Sequence, residues 1–158
     1  MEAIERGLKV LREEGARAFI KKASLYVLRK SIESFLGYVL VPFIVKRFRD
    51  SVRNIDSIYD SLDFAFSFQA FGMSIEPLQI KYEIAKLLEI VVELRPKVVL
   101  EIGTARGGTL FLFTRAASSD AMLISIDLPS GISDGGYPAW KIPLYKSFVK
   151  GKQKNFSN

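Results

Sequence analysis

Residues 98–109 read VVLEIGTARGGT, and this stretch decides the fold. Its first three residues are continuously apolar, which is typical of a strand that is covered on both faces of a parallel sheet. The glycines that follow mark a tight turn before an apolar helix at 109–117. A second buried strand, at 122–126, then ends at Asp127. The order of strand, glycine turn, helix and strand predicts one β-α-β unit of an α/β protein.

The glycine turn and Asp127 together predict a nucleotide site. Gly103 and Gly107 permit a tight turn and a close approach of a ligand to the backbone, and Ala105 is the smallest residue that still carries a Cβ. The following helix directs its first amides at the crevice. Asp127 lies 24 residues after Gly103, at the end of the neighbouring strand. A carboxylate at this place usually accepts hydrogen bonds from ribose hydroxyls.

Two nucleotides fit this turn. Gly103, Ala105 and Gly108 have the spacing of a nicotinamide-dinucleotide site, which leaves an NAD(P)-dependent oxidoreductase as an alternative. Glu101 favours S-adenosylmethionine, because a carboxylate beside the turn can face the methionine amino group, whereas a diphosphate-binding turn would gain nothing from it. Gly103, Ala105 and Gly107 also have the small-x-small-x-Gly spacing of methyltransferases.

The stretch LEIGTARGGT at 100–109, followed by ISIDLP at 124–129, resembles motifs I and II of class I S-adenosylmethionine-dependent methyltransferases. More narrowly, it resembles the cephalosporin-hydroxylase-like and sugar O-methyltransferase-like group. QIKYE at 79–83, GGYPAW at 135–140 and Tyr145 are also similar, so the resemblance covers about residues 74–150. It implies S-adenosylmethionine as the cofactor and a small-molecule or carbohydrate-like methyl acceptor. The implied cofactor-binding residues are Glu101, Gly103, Thr104, Ala105, Gly107, Gly108, Asp127 and Leu128.

The family's sheet has seven strands, whereas this sequence predicts two before a polar tail at 150–158. We therefore expect an incomplete Rossmann-like methyltransferase fold, truncated after the second strand. Methyl transfer would be an ability of the full-length parent, and the missing C-terminal half could be a separate chain. The predicted organisation is a basic helical N-terminal extension at 1–73 and the N-terminal half of a methyltransferase domain at 74–158.

Upstream of the β-α-β unit the sequence predicts mainly helices. Residues 2–36 have helical periodicity, with breaks expected at Gly15 and Gly37. Residues 55–66 place apolar side chains on one helical face, although the closely spaced phenylalanines at 64–71 also fit a strand. Pro77 suits the first turn of a further helix, which Pro96 ends.

The net charge of +6 is concentrated in the N-terminal third of the chain. Residues 1–50 hold eleven Lys/Arg and six Asp/Glu, a net +5. A helical extension packed on the main domain explains this segment, and a basic amphipathic segment on an anionic membrane surface is the alternative. A membrane-surface or partner-binding fragment is therefore the non-enzymatic alternative. Nucleic acid binding is not predicted, because basic and aromatic residues are not interleaved as in known binding modules.

The composition excludes several kinds of site. The chain has no cysteine and no histidine, so disulfides, cysteine-ligated metals and histidine-based catalysis are ruled out, and no metal site is predicted. No residue is a good candidate for a catalytic base. The N-terminus does not have the pattern of a signal peptide, and we expect a cytoplasmic location, with peripheral contact at the inner membrane surface as an addition. The glycine-rich segment 130–140, with Asp134, is predicted to be a loop, and a lid over the cofactor is the alternative.

Overall fold

The computed structural model describes residues 2–128 and 136–157. Helices α1 (Glu2–Val52) and α2 (Ile58–Ser67) lead to a short antiparallel hairpin of β1 (Gln69–Ala70) and β2 (Met73–Ser74). Helix α3 (Lys81–Leu94), strand β3 (Val98–Ile102), helix α4 (Gly108–Ala116) and strand β4 (Met122–Ile126) follow. A 3₁₀ turn at Ala139–Lys141, helix α5 (Ile142–Lys146) and strand β5 (Lys154–Ser157) complete the described part of the chain. The fold is α/β, as the sequence predicts, and it is a partial Rossmann-like fold.

The central sheet is parallel and has the order β3-β4-β5. The predicted β-α-β unit is therefore confirmed, but the expectation of two strands is wrong. The tail forms β5, in which Phe156 lies opposite Ile124. Its polar sequence hid this strand, because β5 contains one apolar residue, whereas a buried parallel strand presents a continuous apolar run.

One face of this sheet is exposed, which contradicts the prediction that the first strand is covered on both sides. Register pairs place a set of apolar side chains on that face, with exposed fractions of 40% or more. They are Val98, Leu100, Ile102, Met122, Ile126 and Phe156. Helices lie only on the opposite face within the described residues, where Val99 and Leu123 point. The apolar run therefore predicted the strand correctly, but it did not predict that only one face of the strand is covered by helices.

The covered face holds the hydrophobic core, to which α1 contributes its C-terminal half. Helix α4 packs against α2 and α3. Phe48 of α1 is fully buried, and its ring makes edge contacts with Phe64, Phe68 and Phe111. Phe64, Phe66 and Phe68 thus belong to a helix and its end, since α2 runs to Ser67, whereas Phe71 lies in the turn of the β1–β2 hairpin. Aromatic packing decides a choice that periodicity left open.

Helix α3 begins later than the sequence predicts. Its first residue is Lys81, and Pro77 is buried before it, against Gly108. The assignment of Pro77 to the first helical turn is therefore wrong, because this proline packs on the glycine turn. The helix ends at Leu94, followed by Arg95 in a left-handed conformation, so the stop at Pro96 is confirmed.

Helix α1 has one of the two predicted breaks. Gly15 has φ 85° and ψ 170°, which interrupts the helix. Gly37 is helical, so a break at this position is wrong. Its missing side chain makes room for the Trp140 ring, since a Cβ on Gly37 would lie 2.4 Å from Cδ2 and Cε2 of that ring.

We expect Gly37→Ala to destabilise the protein by about 1 kcal/mol. Overpacking a tight contact costs about 1–3 kcal/mol, and the better helix propensity of alanine offsets up to about 1 kcal/mol of that cost. Urea denaturation measures the difference, with Ser31→Ala at an exposed position of the same helix as the control. A variant as stable as the wild type would show that Trp140 does not pack on α1 in solution.

Candidate functional site

The carboxyl ends of β3 and β4 bring the glycine turn and Asp127 into direct contact. The amide of Gly103 donates to the carbonyl of Ile126 at 2.8 Å. The amide of Ala105 donates to Oδ2 of Asp127 at 2.9 Å, and the amide of Leu128 donates to Oδ1 at 2.8 Å. Two backbone donors therefore hold the Asp127 carboxylate beside the turn, at the edge where α/β sheets bind ligands.

The residues of the turn differ in what surrounds them. Gly103 has φ +87°, and a Cβ added there would meet nothing within 4 Å. Ala105 has φ +48°, which an L-residue adopts at a cost of roughly 1 kcal/mol. The backbone of this turn is thus open at Gly103 and strained at Ala105, and its contact with Asp127 keeps it in place.

Packing inside the protein explains the other two glycines. A Cβ on Gly107 would lie 2.5 Å from the Tyr145 ring, and one on Gly108 would lie 2.0 Å from the carbonyl oxygen of Ile75. Tyr145 is fully buried and its hydroxyl donates to the carbonyl of Ala105 at 3.0 Å. The contacts of these glycines with a cofactor remain predictions, whereas Tyr145 is a packing residue.

Helix α4 starts at Gly108, directly after the turn, so its first amides lie at the crevice. Two further side-chain contacts fix this helix start. Thr109 donates its hydroxyl to Oε1 of Gln79 at 2.9 Å, and Arg106 lies 3.5 Å from the carboxylate of Glu76. Gln79 belongs to the QIKYE segment that the resemblance singled out, and the structure places it beside the turn.

A buried polar cluster lies behind the turn. Glu101 is 7% exposed and accepts a hydrogen bond from the Ser125 hydroxyl at 3.1 Å. The Thr104 and Ser125 hydroxyls are also hydrogen-bonded. Burial raises the pKa of Glu101 to about 7; the charge of Asp127 adds to this rise and the Ser125 hydrogen bond opposes it. Sequence reasoning missed Ser125, whose signal was a polar residue within a buried strand.

A groove of about 640 Å³ adjoins the turn through Arg106. It lies between α1, the β1–β2 hairpin and the Pro138–Lys141 segment, and Phe71 and Trp140 are part of its lining. Lys141 stands in this lining with a pKa lowered first by burial and then by the positive charge of Arg106, while Glu33 opposes the shift. The groove therefore combines aromatic surface with charged groups of both signs.

Leu128, which is also predicted to bind the cofactor, lies two residues after the last residue of β4 and is 57% exposed. Its contact with a cofactor stays a prediction. The loop or lid predicted at 130–140 falls largely outside the described residues, and Asp134 is among those not described. Trp140 is 8% exposed and packs on Gly37.

Comparison with known proteins adds one finding. The model of the rhamnosyl O-methyltransferase/CmcI family matches residues 62–131. This segment is CmcI-like. The predicted resemblance to a sugar O-methyltransferase-like group is thereby confirmed, and methyl transfer is the general activity that the match supports.

The CmcI-like segment starts within α2 and includes the glycine turn, Asp127 and Gln79. It starts earlier than the resemblance placed at 74–150, and the likeness of 135–145 to that group stays a prediction. The boundary between domains at 73 and 74 also stays a prediction. No curated protein and no solved structure matches the chain.

Proposed function

We propose that this protein binds S-adenosylmethionine at the Gly103 turn and takes part in methyl transfer to a small-molecule or carbohydrate-like acceptor. The observation that carries this proposal is the pair of hydrogen bonds from the Ala105 and Leu128 amides to the Asp127 carboxylate. They hold an acid at the strand end where a ribose-binding carboxylate is expected, next to a turn that is open at Gly103.

The residues present fit this cofactor by their chemistry. The Asp127 carboxylate is an acceptor for the ribose hydroxyls, and Glu101 supplies a second carboxylate for the methionine ammonium group. A cation next to Glu101 would lower the pKa of its carboxyl group from about 7, so that Glu101 ionises on binding. When bound, S-adenosylmethionine supplies an electrophilic methyl group on its sulfonium. The protein's part would be to hold that group and the acceptor in line, since positioning alone provides a large share of a rate enhancement.

The groove beside Arg106 is the place we propose for the acceptor. It adjoins the turn, and its volume of about 640 Å³ is within the range of small-molecule sites. Gln69, Glu33 and Glu76 in its lining are groups that hydrogen-bond hydroxyls, and Phe71 offers an exposed ring face. This combination suits a carbohydrate-like molecule better than a purely apolar one.

Isothermal titration of the 158-residue chain with S-adenosylhomocysteine and, separately, with NADH tests the cofactor. We expect S-adenosylhomocysteine to bind and NADH to give no heat of binding, because Glu101 suits an ammonium group and offers a diphosphate no favourable contact. Tight binding of NADH together with no response to S-adenosylhomocysteine would replace this proposal by the oxidoreductase alternative. If neither S-adenosylhomocysteine nor NADH binds, the cofactor proposal is refuted for this chain.

Peripheral membrane contact through residues 1–50 is a separate proposal, because the Gly103 site does not require it. A cytoplasmic location is likewise a proposal that accompanies the enzymatic one. In the described residues, no helix combines the length and apolar character needed to cross a bilayer.

A further inference from the structure

Helix α1 carries an apolar surface that nothing in the described structure covers. Seven residues between 25 and 43 recur at intervals of three and four and are 48% to 67% exposed. We call them the α1 stripe; they are Leu25, Leu28, Ile32, Phe35, Leu36, Val39 and Phe43. Because residues three and four apart lie on one side of a helix, the α1 stripe is a continuous band.

Most of the α1 stripe lies on the side of the helix opposite the core, and Leu36 at its edge also lines the groove beside Arg106. Val41, Ile44 and Phe48 are buried in the core. At about 100° per residue, these positions are roughly opposite the middle of the stripe. The helix therefore uses one side to hold the α/β unit and leaves a second apolar side free for a different contact.

Charge defines what this second side can contact. Residues 16–49 contain eight basic residues and one acidic residue, Glu33. Lys22, Arg29 and Arg47 lie along one border of the stripe, and Lys21 and Lys46 lie at its two ends. The ammonium of Lys22 also pairs with the Glu14 carboxylate at 2.6 Å. The basic set is Arg17, Lys21, Lys22, Arg29, Lys30, Lys46, Arg47 and Arg49.

A second copy of this helix is a poor complement for such a surface. Paired helices that share an apolar seam normally place opposite charges along its borders, whereas here both partners would bring positive charge. An anionic lipid surface meets both requirements, because it accepts apolar side chains between its headgroups and attracts lysine and arginine. The helix is not apolar enough to span the bilayer, so it would lie along it.

We propose that α1 binds the surface of an anionic membrane through the α1 stripe and its basic border. In this arrangement the helix lies between the bilayer and the α/β unit, so the Gly103 site and its groove are held close to the membrane. This inference does not depend on the identity of the cofactor or on methyl transfer.

Co-sedimentation of the full chain with vesicles tests the proposal. We expect binding to phosphatidylcholine vesicles that contain phosphatidylglycerol, weaker binding to vesicles of phosphatidylcholine alone, and a decrease as salt is added. Val39→Asp should lower the binding at least about tenfold, because it places a charge within the apolar band. Val27→Asp is the matched control: Val27 is 61% exposed on the same helix but lies outside the stripe, so this variant should bind almost as well as the wild type.

A second variant keeps the test independent of the apolar side chains. Replacing Lys22, Arg29 and Arg47 together by glutamine should lower the preference for phosphatidylglycerol and the salt dependence, while Lys21 and Lys46 at the ends of the stripe remain. Circular dichroism should show unchanged helix content in every variant, since all these positions are exposed. Equal binding of the Val39→Asp and Val27→Asp variants would overturn the proposal. So would a dimer in sedimentation equilibrium without lipid that Val39→Asp dissociates, because the stripe would then bind a second copy.

Discussion

Asp127→Asn is expected to weaken the binding of S-adenosylhomocysteine about a hundredfold. The substitution keeps the shape of the side chain but removes its charge and one of two acceptor oxygens. Hydrogen bonds to a charged group contribute roughly 1.5–3 kcal/mol each, so the loss of ribose contacts alone accounts for an effect of this size. The amide nitrogen of asparagine would also face one of the two backbone donors, Ala105 or Leu128, that now hold the carboxylate.

Isothermal titration measures this loss, and Asp120→Asn serves as the control. Asp120 is an exposed acid just before β4, at the end of the strand opposite Asp127. Its replacement changes the net charge of the protein by the same amount and should leave the affinity unchanged. Unchanged affinity of Asp127→Asn would show that the adenosine part of the ligand is bound elsewhere.

The β-α-β unit and the pairing of Gly103 with Asp127 were predictable because they follow from local sequence. A short apolar run predicts a strand, and the glycine turn and the acid after the next run each mark the end of the strand that they follow. Since both strands are parallel, their carboxyl ends must meet at one edge of the sheet. The contact between Ala105 and Asp127 is the structural consequence of that rule.

The parts that sequence reasoning missed depend on distant partners. Gly37 looked like a helix break, and only Trp140, about a hundred positions later, explains why a glycine is needed within the helix. Strand β5 exists because β4 offers it an edge, and its own sequence is too polar to predict a buried strand. Ser125 gains its importance from the register that sets it opposite Glu101.

The role of helix α1 also depends on distant partners. Its basic charge and helical periodicity are visible in the sequence, but its two apolar sides are not distinguishable there. The structure assigns one side to the core through Ile44 and Phe48 and exposes the other. Which apolar side is available to a partner is therefore a property of tertiary packing.

Glu101→Gln is expected to stabilise the ligand-free protein at pH 8 by up to roughly 3 kcal/mol while weakening its cofactor binding. Burial raises the pKa of Glu101 from 4.5 to about 7 in the folded chain. Between these two pH values the unfolded chain loses this proton and the folded chain keeps it, so the free energy of unfolding falls as the pH rises. The difference of about 2.5 units corresponds, at 1.36 kcal/mol per unit, to roughly 3 kcal/mol. Glutamine has no charge to bury, and the variant should therefore lose this pH dependence.

Urea denaturation of both proteins from pH 4 to pH 8 measures this effect. The two stabilities should be similar near pH 4, where Glu101 is protonated in both states, and should separate as the pH approaches 7. Glu93→Gln, at an exposed glutamate of α3, is the control and should follow the wild type. Parallel pH profiles for the wild type and Glu101→Gln would show that burial does not raise the pKa of Glu101 in the folded chain. The proposed contact with an ammonium group would supply the cation that offsets the cost of ionising Glu101 in the folded chain.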